Sequence, residues 1–314
     1  MTPIIQTERL SKVYQRGRGE PVYALKDLTL AVQPGEVFGY LGPNGAGKTT
    51  TIRLLMDFIR PTSGSARIFG QDVRQHSVAI HQRIGFLPGE LNLWKNQTGQ
   101  QVINYISRMR GGTDTSYVAD LTERLQFDPS KRIRSYSSGN RRKLGLILAL
   151  MGKPELLILD EPTGGLDPLM QQIFNEIILE VKGEGRTVFL SSHILSEVQA
   201  ICDRVGILRN GELKAVERVS DLTHADFRWV TLRLEEIVEP AQLAGIPGVS
   251  DVTREDGALR LRLNGDFDPL LRALSPYYVR DIRVQEPSLE EIFLTYYGNG
   301  SRLTHGAAER VLAS

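Results

Sequence analysis

The chain has 314 residues, of which 41% are apolar and 24% are charged. These fractions are typical of a globular protein and exclude a disordered chain, a collagen-like fibre and a disulfide scaffold. Lys and Arg together number 38, Asp and Glu 37, so the formal net charge of +1 gives no bulk electrostatic reason for binding nucleic acid or an anionic membrane.

The length predicts about two domains of about 150 residues each. The single cysteine, Cys202, cannot form an internal disulfide, which fits a reducing cytosolic compartment. The longest apolar stretch, residues 144–151, is far shorter than the roughly 20 residues that span a bilayer. The first residues lack the apolar run of a signal peptide. We therefore expect a soluble chain, with any membrane part supplied by another protein.

Predicted strands and helices alternate through residue 216. Strands are predicted at 28–33, 37–41, 83–87, 156–159 and 187–191, and helices at 49–58, 98–127, 139–151, 169–182 and 194–201. Residues 205–208 and 213–216 flank an Asn-Gly turn, which predicts a hairpin. This alternation is typical of an α/β fold with a parallel sheet.

The pattern changes near Asp221. Strands are predicted at 228–234, 249–254, 258–263 and 278–284, with helices at 239–244 and 268–274. The order β-α-β-β-α-β is that of the ferredoxin-like fold. A last helix is predicted at 287–297. We therefore predict a first domain over 1–222, a small α+β accessory domain over 223–298 and a mobile tail over 299–314.

The strongest chemical signal is a glycine-rich loop between the predicted strand 37–41 and the helix after it. Its residues match the phosphate-binding pattern G-x-x-x-x-G-K-[ST]: Gly42, Pro43, Asn44, Gly45, Ala46, Gly47, Lys48 and Thr49. Glycines let backbone N–H groups point at phosphate oxygens, and the helix N-terminus adds positive charge. By chance, the bare pattern would arise in roughly one chain in a hundred of this length. We expect Lys48 to reach the β- and γ-phosphates and the Thr49 hydroxyl to hold Mg²⁺, with Thr50 beside them.

The apolar strand 156–159 ends in two carboxylates, Asp160 and Glu161. Asp160 is placed for the Mg²⁺ shell, and Glu161 is placed to polarise the attacking water as a general base. An ordinary core strand with acidic residues at its exit is the alternative. For this segment alone, the two interpretations are equally probable. The probability of the ordinary core strand falls to a few per cent once the phosphate loop upstream is considered.

These motifs, with others in the same order, resemble the ATP-binding cassette (ABC) ATPases over residues 1–222. Gly42–Thr49 resembles the Walker A loop of that family, and 156–161 its Walker B strand. Residues 136–140, Tyr-Ser-Ser-Gly-Asn, resemble a variant of its Leu-Ser-Gly-Gly-Gln signature motif. Residues 162–167 resemble its D-loop, and His193 its switch histidine.

The resemblance implies further nucleotide-binding residues: Tyr14, Ser137, Ser138, Gly139 and Asp167. Tyr14 would stack on adenine, with Tyr23 as a competing aromatic. Ser137 and the N–H of Gly139 would bind the γ-phosphate of ATP held by another subunit, although serine at a helix start is also a plain N-cap. Asp167 has an alternative role as a turn residue before Pro168.

His193 would bind the γ-phosphate or orient the attacking water, so the implied catalytic set is Lys48, Glu161 and His193. The chain also departs from the family pattern. We expect Gly89 to occupy the position of the glutamine that follows the third strand in the family, with Glu90 beside it. A carboxylate can serve a Mg²⁺ shell, but its charge opposes phosphate, so Glu90 is only a possible metal ligand. Tyr136, Ser138 and Asn140 also differ from the usual signature.

Residues 286–298 resemble the end of prokaryotic ABC-2 type drug- and antibiotic-export ATPases, such as those for daunorubicin resistance and bacitracin export. An amphipathic helix that docks the tail onto its own domain is the alternative. The resemblance implies a P-loop NTPase cassette with a mixed sheet and a helical subdomain, and an ATPase that uses ATP and Mg²⁺.

The resemblance also implies partners and a location. Two copies, or this chain and a second cassette subunit, would pair, and each would dock on an integral-membrane permease through residues 89–112 at the cytoplasmic face. A soluble ABC ATPase acting on ribosomes or nucleic acid is disfavoured by the single cassette and near-zero charge, so we expect no nucleic-acid partner. An inactive ATP-binding cassette is disfavoured by the complete catalytic set.

Overall fold

The computed structural model describes residues 2–15, 21–223, 227–236, 238–255 and 257–285. The chain divides into two compact units between Val219 and Ser220. The predicted domain boundaries, which give domains over 1–222 and 223–298, remain a prediction. The predicted helix 287–297 and the tail 299–314 lie outside the described residues.

The first unit alternates strands and helices, as its sequence predicts. In chain order its elements are β1 (Ile5–Tyr14), β2 (Val22–Val32), β3 (Val37–Leu41), α1 (Lys48–Leu55), β4 (Ser63–Ile68), β5 (Gln71–Asp72), α2 (Ser77–Gln82), β6 (Ile84–Leu87), α3 (Gly99–Met109), α4 (Thr115–Arg124), a 3-10 turn (Ile133–Ser135), α5 (Ser138–Leu150), β7 (Leu156–Asp160), α6 (Pro168–Gly183), β8 (Thr187–Ser192), α7 (Leu195–Ile201), β9 (Arg204–Arg209) and β10 (Glu212–Arg218). Helix α8 (Val219–Thr223) follows.

A six-stranded mixed sheet forms the centre of this unit, in the order β10-β9-β3-β8-β7-β6. Neighbouring strands are parallel except in the hairpin β9–β10. Its turn residues Asn210 and Gly211 have φ of 52° and 78°, as a tight hairpin turn requires, so the predicted hairpin is confirmed. Strands β3, β7 and β8 are buried throughout, because parallel sheets are covered on both faces. Their carboxyl ends meet at one edge of the sheet.

A second, antiparallel sheet has the order β2-β1-β4-β5. Residues 28–33 were predicted as a strand, but β1 and β4 were not. Strand β1 has register shifts between Thr7 and Leu10, and Arg9 has a φ of 44°. These irregularities interrupt the alternation of apolar and polar residues by which a strand is recognised in the sequence. Helix α1 buries Ile52, Leu54 and Leu55 in the core shared by the two sheets.

The helical segment predicted at 98–127 is two helices, α3 and α4. Gly111 and Gly112 separate them with φ of 80° and 106°, which a helix cannot contain. A capping box of Thr98 and Gln101 begins α3, and the Asp114 side chain caps α4. Arg110, at the end of α3, donates from Nη2 to Ile84 O in β6 at 3.0 Å. Burial lowers the pKa of Arg110. This partly buried contact ties the helical subdomain to the edge of the central sheet.

The second unit continues with β11 (Phe227–Leu234), α9 (Pro240–Leu243), β12 (Val249–Glu255), β13 (Ala258–Asn264), α10 (Asp268–Leu274) and β14 (Val279–Gln285). Its antiparallel sheet has the order β12-β13-β11-β14. Alternate residues of the central strands, such as Val230 and Leu261, pack with Leu243 and Leu270 of the helices. This order is that of the predicted ferredoxin-like fold, which is confirmed. In the described ranges, no helix is long and apolar enough to cross a membrane.

Candidate functional site

The glycine-rich loop connects the end of β3 to the start of α1. Gly47 has a φ of 112°, and a Cβ there would lie 2.4 Å from Ala24 O. A Cβ at Gly42 would lie 2.4 Å from Leu208 O. Both contacts are with backbone, which cannot move aside. The loop can therefore take this tight course against its neighbours only with glycine at these positions.

Lys48 is the first residue of α1 and only 6% exposed. Its Nζ donates to Gly42 O at 2.5 Å and to Pro43 O at 3.3 Å. The same nitrogen lies 3.2 Å from Oε1 of Glu161. A buried cation is thus held at the mouth of the loop by two carbonyls and one carboxylate, a location suited to a polyanion.

Asp160 ends β7 and is 2% exposed. Its Oδ2 accepts from the Thr49 hydroxyl at 2.9 Å, and its Oδ1 accepts from the Ser191 hydroxyl at 2.6 Å. Ser191 lies on the adjacent strand β8, whose register places it beside Asp160. The hydroxyl of Thr49 and the carboxylate of Asp160 are hard oxygen donors of the kind that Mg²⁺ prefers. These two residues therefore fit the metal that the sequence predicts.

Glu161 follows directly and has a φ of 51°. Left-handed backbone at a residue other than glycine costs on the order of 1–3 kcal/mol and often marks functional sites. The backbone N–H of Glu161 donates to Ser191 Oγ at 3.1 Å. The side chain is held from both sides, because Oε2 lies 2.6 Å from Nδ1 of His193 and Oε1 faces Lys48. His193 is 48% exposed, so its ring remains accessible from the cleft.

Lys48, Thr49, Glu161 and His193 line one cleft of about 420 Å³. The volume is within the range of ligand sites in proteins. The lining contains the predicted residues Pro43, Asn44, Gly45, Gly47, Lys48, Thr49, Thr50, Glu161 and His193, together with Ala24 and Gly164. Residues separated by more than a hundred positions are thus brought together as the motifs predict.

The two aromatic candidates for an adenine contact do not line this cleft. Tyr14 is 37% exposed and lies on β1, and Tyr23 is 54% exposed on the neighbouring strand β2. A lysine lies over each ring, Lys12 at 5.1 Å from the Tyr14 centroid and Lys26 at 5.7 Å from that of Tyr23. Both rings are accessible, and the preference for Tyr14 remains a prediction.

Ser137, Ser138, Gly139 and Asp167 also lie outside the lining of the cleft. Ser137 is the N-cap of α5 and accepts from Asn140 N, and Asp167 is the N-cap of α6 and accepts from Met170 N. A Cβ at Gly139 would lie 2.8 Å from Gly165 O, so the signature segment packs against the D-loop of its own chain. The capping alternative is therefore realised for Ser137, and Asp167 caps a helix as well. Contact with nucleotide remains a prediction for these four residues.

The segment after β6, where the family has glutamine, lies against Asp160. A Cβ at Gly89 would be 3.1 Å from Asp160 Oδ2, so the backbone itself reaches the carboxylate. Glu90 is exposed. Its role as a metal ligand remains a prediction.

Three residues with contacts to the site were not predicted. Ser191 holds Asp160, as described above. Glu197 of α7 accepts from the Thr163 hydroxyl at 2.5 Å and from the Ser192 hydroxyl at 2.6 Å, joining the D-loop to the segment that carries His193. Arg142 of α5 donates to Gly89 O at 2.8 Å and to Gly164 O at 3.3 Å. Glu197 and Arg142 are charged residues within helices, and no local sequence pattern indicates that such residues contact distant loops. The one indication in the sequence is that Arg142 lies just after the signature segment 136–140.

Comparison with known proteins gives matches along most of the chain. Residues 25–164 match the family model described as ABC transporter, and residues 223–297 match the C-terminal domain of DrrA1-3-like ATP-binding proteins. An uncharacterized ABC transporter ATP-binding protein of Synechocystis is 34% identical over 93% of this chain and 84% of its own. The bacitracin transport ATP-binding protein BcrA of Enterococcus faecalis is 31% identical, and the match covers 96% of this chain and 98% of BcrA. A solved ATP-binding subunit of an ABC transporter has a TM-score of 0.64 at 28% identity, covering 70% of this chain and 91% of that one.

Proposed function

The chain belongs to the ABC transporter ATP-binding family, as its motifs predicted, and we propose that it hydrolyses ATP in the described cleft to drive a separate membrane permease. ATP hydrolysis coupled to transport is the chemistry of this family. The observation that supports the assignment of the site is the convergence of Lys48, Thr49, Glu161 and His193 on one cleft, with Asp160 hydrogen-bonded to Thr49 beside it.

Each residue has a role that follows from its contacts. Lys48 exchanges its loop carbonyls for the β- and γ-phosphates of ATP, which are stronger acceptors for a cation. Glu161 accepts the proton of the attacking water, and His193 holds that carboxylate in place through their 2.6 Å contact. Thr49 and Asp160 would hold Mg²⁺, which when bound neutralises phosphate charge.

The signature residues Ser137 and Gly139 act on a different copy of the site. They lie outside the lining of the cleft of their own chain, at the start of α5 and against the D-loop. A helix N-terminus is a suitable partner for phosphate. We place these residues on ATP bound to the partner subunit, either a second copy or another cassette. Asp167 belongs to the D-loop, against which Gly139 packs, and we infer that it lies where the two subunits meet.

The permease docks on the helical subdomain. Trp94 and Tyr105 are 52% and 49% exposed, and their ring centroids are 5.0 Å apart. They line a groove of about 550 Å³ with Val102, Gln101 and Arg108. Exposed aromatic side chains beside a polar rim are typical of protein interfaces. This groove lies within residues 89–112, for which docking was predicted, and it would hold the complex at the cytoplasmic face.

The cargo class follows from the relatives. BcrA is named for bacitracin transport and matches over nearly the full length of both chains. The second unit matches the C-terminal model of DrrA1-3-like proteins. We infer an ABC-2 type exporter of drugs, antibiotics or lipid-like compounds. A soluble switch on ribosomes or nucleic acid is not favoured, since the full-length match is with a transport protein.

Affinity purification from native membranes in detergent tests the proposal. The tagged chain should retain a multi-span integral membrane protein in stoichiometric amount, identified by mass spectrometry. Trp94→Ala should reduce that recovery, whereas Tyr278→Ala, which truncates an exposed aromatic residue of the second unit, should not. Recovery of the wild type alone, or with ribosomes or nucleic acid, would contradict the transporter assignment.

A further inference from the structure

One side chain of α5 holds the backbone on both sides of the Asp160–Glu161 pair. Arg142 donates from Nη1 to Pro88 O at 3.0 Å and from Nη2 to Gly89 O at 2.8 Å, in the segment after β6. Its Nε donates to Gly164 O at 3.3 Å, in the D-loop after β7. Its Nη1 also lies 3.5 Å from Asp160 O. We call this set of contacts the Arg142 clamp.

Only an arginine side chain can form this clamp. Its planar guanidinium has five N–H donors in a fixed arrangement, whereas a lysine ammonium is a single point with three donors. All of the acceptors are main-chain carbonyls, so the clamp fixes the course of the loops whatever side chains they carry. Burial lowers the pKa of Arg142, and the charges of Asp160 and Glu161 oppose that shift. The guanidinium stays charged because arginine is not deprotonated in proteins.

The clamp acts on the segment for which the sequence predicts a departure from the family pattern. At the position where the family resemblance predicts a glutamine facing the nucleotide, this chain has Gly89, which has no side chain to make such a contact. Its backbone instead lies against Asp160, with only 3.1 Å between Asp160 Oδ2 and a Cβ at Gly89. The hydrogen bond from Arg142 Nη2 to Gly89 O fixes that approach.

The clamp also links the signature helix to the reacting groups. Arg142 is one turn from Ser137 and Gly139, which begin the same helix. A shift of α5 would therefore displace the Gly89 and Gly164 backbones on either side of Asp160 and Glu161. Arg142 is absent from the lining of the cleft, and its hydrogen bonds go to main-chain carbonyls of the neighbouring loops.

We propose that Arg142 is a positioning residue for ATP hydrolysis, which transmits the position of α5 to Asp160 and Glu161 through the Gly89 and Gly164 backbones. This inference rests on the proposed ATPase function. The geometry predicts that Arg142 affects turnover rather than ATP affinity, because its contacts lie behind the reacting groups. Misplacement of catalytic groups by about 1 Å costs up to about 100-fold in rate.

The test uses the chain purified with its membrane partner. Arg142→Ala should lower kcat between about 10- and 100-fold and leave the Kd for ATP within about twofold of wild type. Arg141→Ala, at the exposed neighbouring position on the same helix, should keep wild-type values. Millimolar guanidinium chloride should restore part of the kcat of Arg142→Ala and leave Arg141→Ala unchanged, a response that a general packing role would not produce.

Arg142→Lys keeps the charge and much of the volume but cannot reach both loops. If Arg142→Ala does not fold, Arg142→Lys provides the test, and it should fold and lose kcat with normal ATP affinity. An unchanged kcat in the folded variants, or parallel loss of kcat and ATP affinity without guanidinium rescue, would overturn the positioning role. Absence of turnover in the wild type and Arg141→Ala alike would instead contradict the proposed ATPase function.

Discussion

The carboxylate of Glu161 lies 2.6 Å from Nδ1 of His193 at the end of adjacent parallel strands. Because the other oxygen of the same carboxylate faces Lys48, the general base is held between a ring nitrogen and a buried cation. The two contacts restrict the orientations that Glu161 can adopt toward an attacking water. This arrangement connects the binding of phosphate at Lys48 to the placement of the base.

Truncation of His193 should therefore impair turnover more than binding. We expect His193→Ala to lower kcat by about 100-fold or more, since general base catalysis contributes on that order and the base loses its orienting contact. Steady-state ATPase rates and equilibrium binding of a fluorescent ATP analogue would measure the two effects. His76→Ala, at an exposed histidine before α2, is the control and should behave as wild type. Equal ATPase rates in His193→Ala and His76→Ala would show that His193 has no role in hydrolysis.

Lys48 should determine nucleotide affinity. Lys48→Ala removes the cation of the loop and should weaken ATP binding at least about tenfold, because charge-assisted hydrogen bonds to phosphate are lost. Isothermal titration would measure the Kd. Lys214→Ala, in β10, removes the same charge away from the cleft and should leave the Kd unchanged. A wild-type Kd for Lys48→Ala would mean that phosphate binds elsewhere.

Magnesium dependence should follow Thr49 and Asp160. Removal of divalent cations with EDTA is expected to abolish hydrolysis. Thr49→Val keeps the side-chain shape without the hydroxyl, and we expect it to raise the Mg²⁺ concentration for half-maximal turnover about tenfold, the usual scale for a disturbed metal site. The Mg²⁺ titration of the ATPase rate measures this shift. An unchanged titration curve would exclude Thr49 as a metal-holding residue.

Close packing between β6 and α5 should make Gly85 essential for stability. A Cβ there would lie 2.1 Å from Ala149 O and 2.7 Å from a methyl carbon of Leu157. Gly85→Ala should destabilise the first unit by about 1–3 kcal/mol, the cost of overpacking. Gly183→Ala, on a helix with no atom within 4 Å of the new methyl group, should be neutral or stabilising. Thermal unfolding compares the pair, and a wild-type midpoint for Gly85→Ala would contradict the packing described.

Much of the site could be predicted from the sequence because its residues follow buried strands. The apolar run 156–159 and the glycine-rich loop each place their polar residues at the carboxyl end of a strand in one parallel sheet. Lys48, Asp160 and Glu161 must then lie near one another. The fold of the second unit was predictable for a similar reason, since the alternation in residues 258–263 is regular.

Other features depend on tertiary contacts that no local pattern encodes. The bulged strand β1 does not alternate, so the antiparallel sheet was missed apart from residues 28–33. The glycines at 111 and 112 end α3, although the sequence around them remained helical in pattern. Arg142 and Glu197 lie on helices as ordinary polar residues, and only the folded chain brings them to the loops of the site.

The most direct test of the account is the turnover of Glu161→Gln beside the wild type, both purified with the membrane partner. The substitution keeps the shape of the side chain and removes its ability to accept a proton. The account predicts ATP binding near the wild-type Kd and a kcat lower by about 100-fold or more. A correctly folded Glu161→Gln that hydrolyses ATP at the wild-type rate would show that the general base lies elsewhere and would contradict the assigned mechanism.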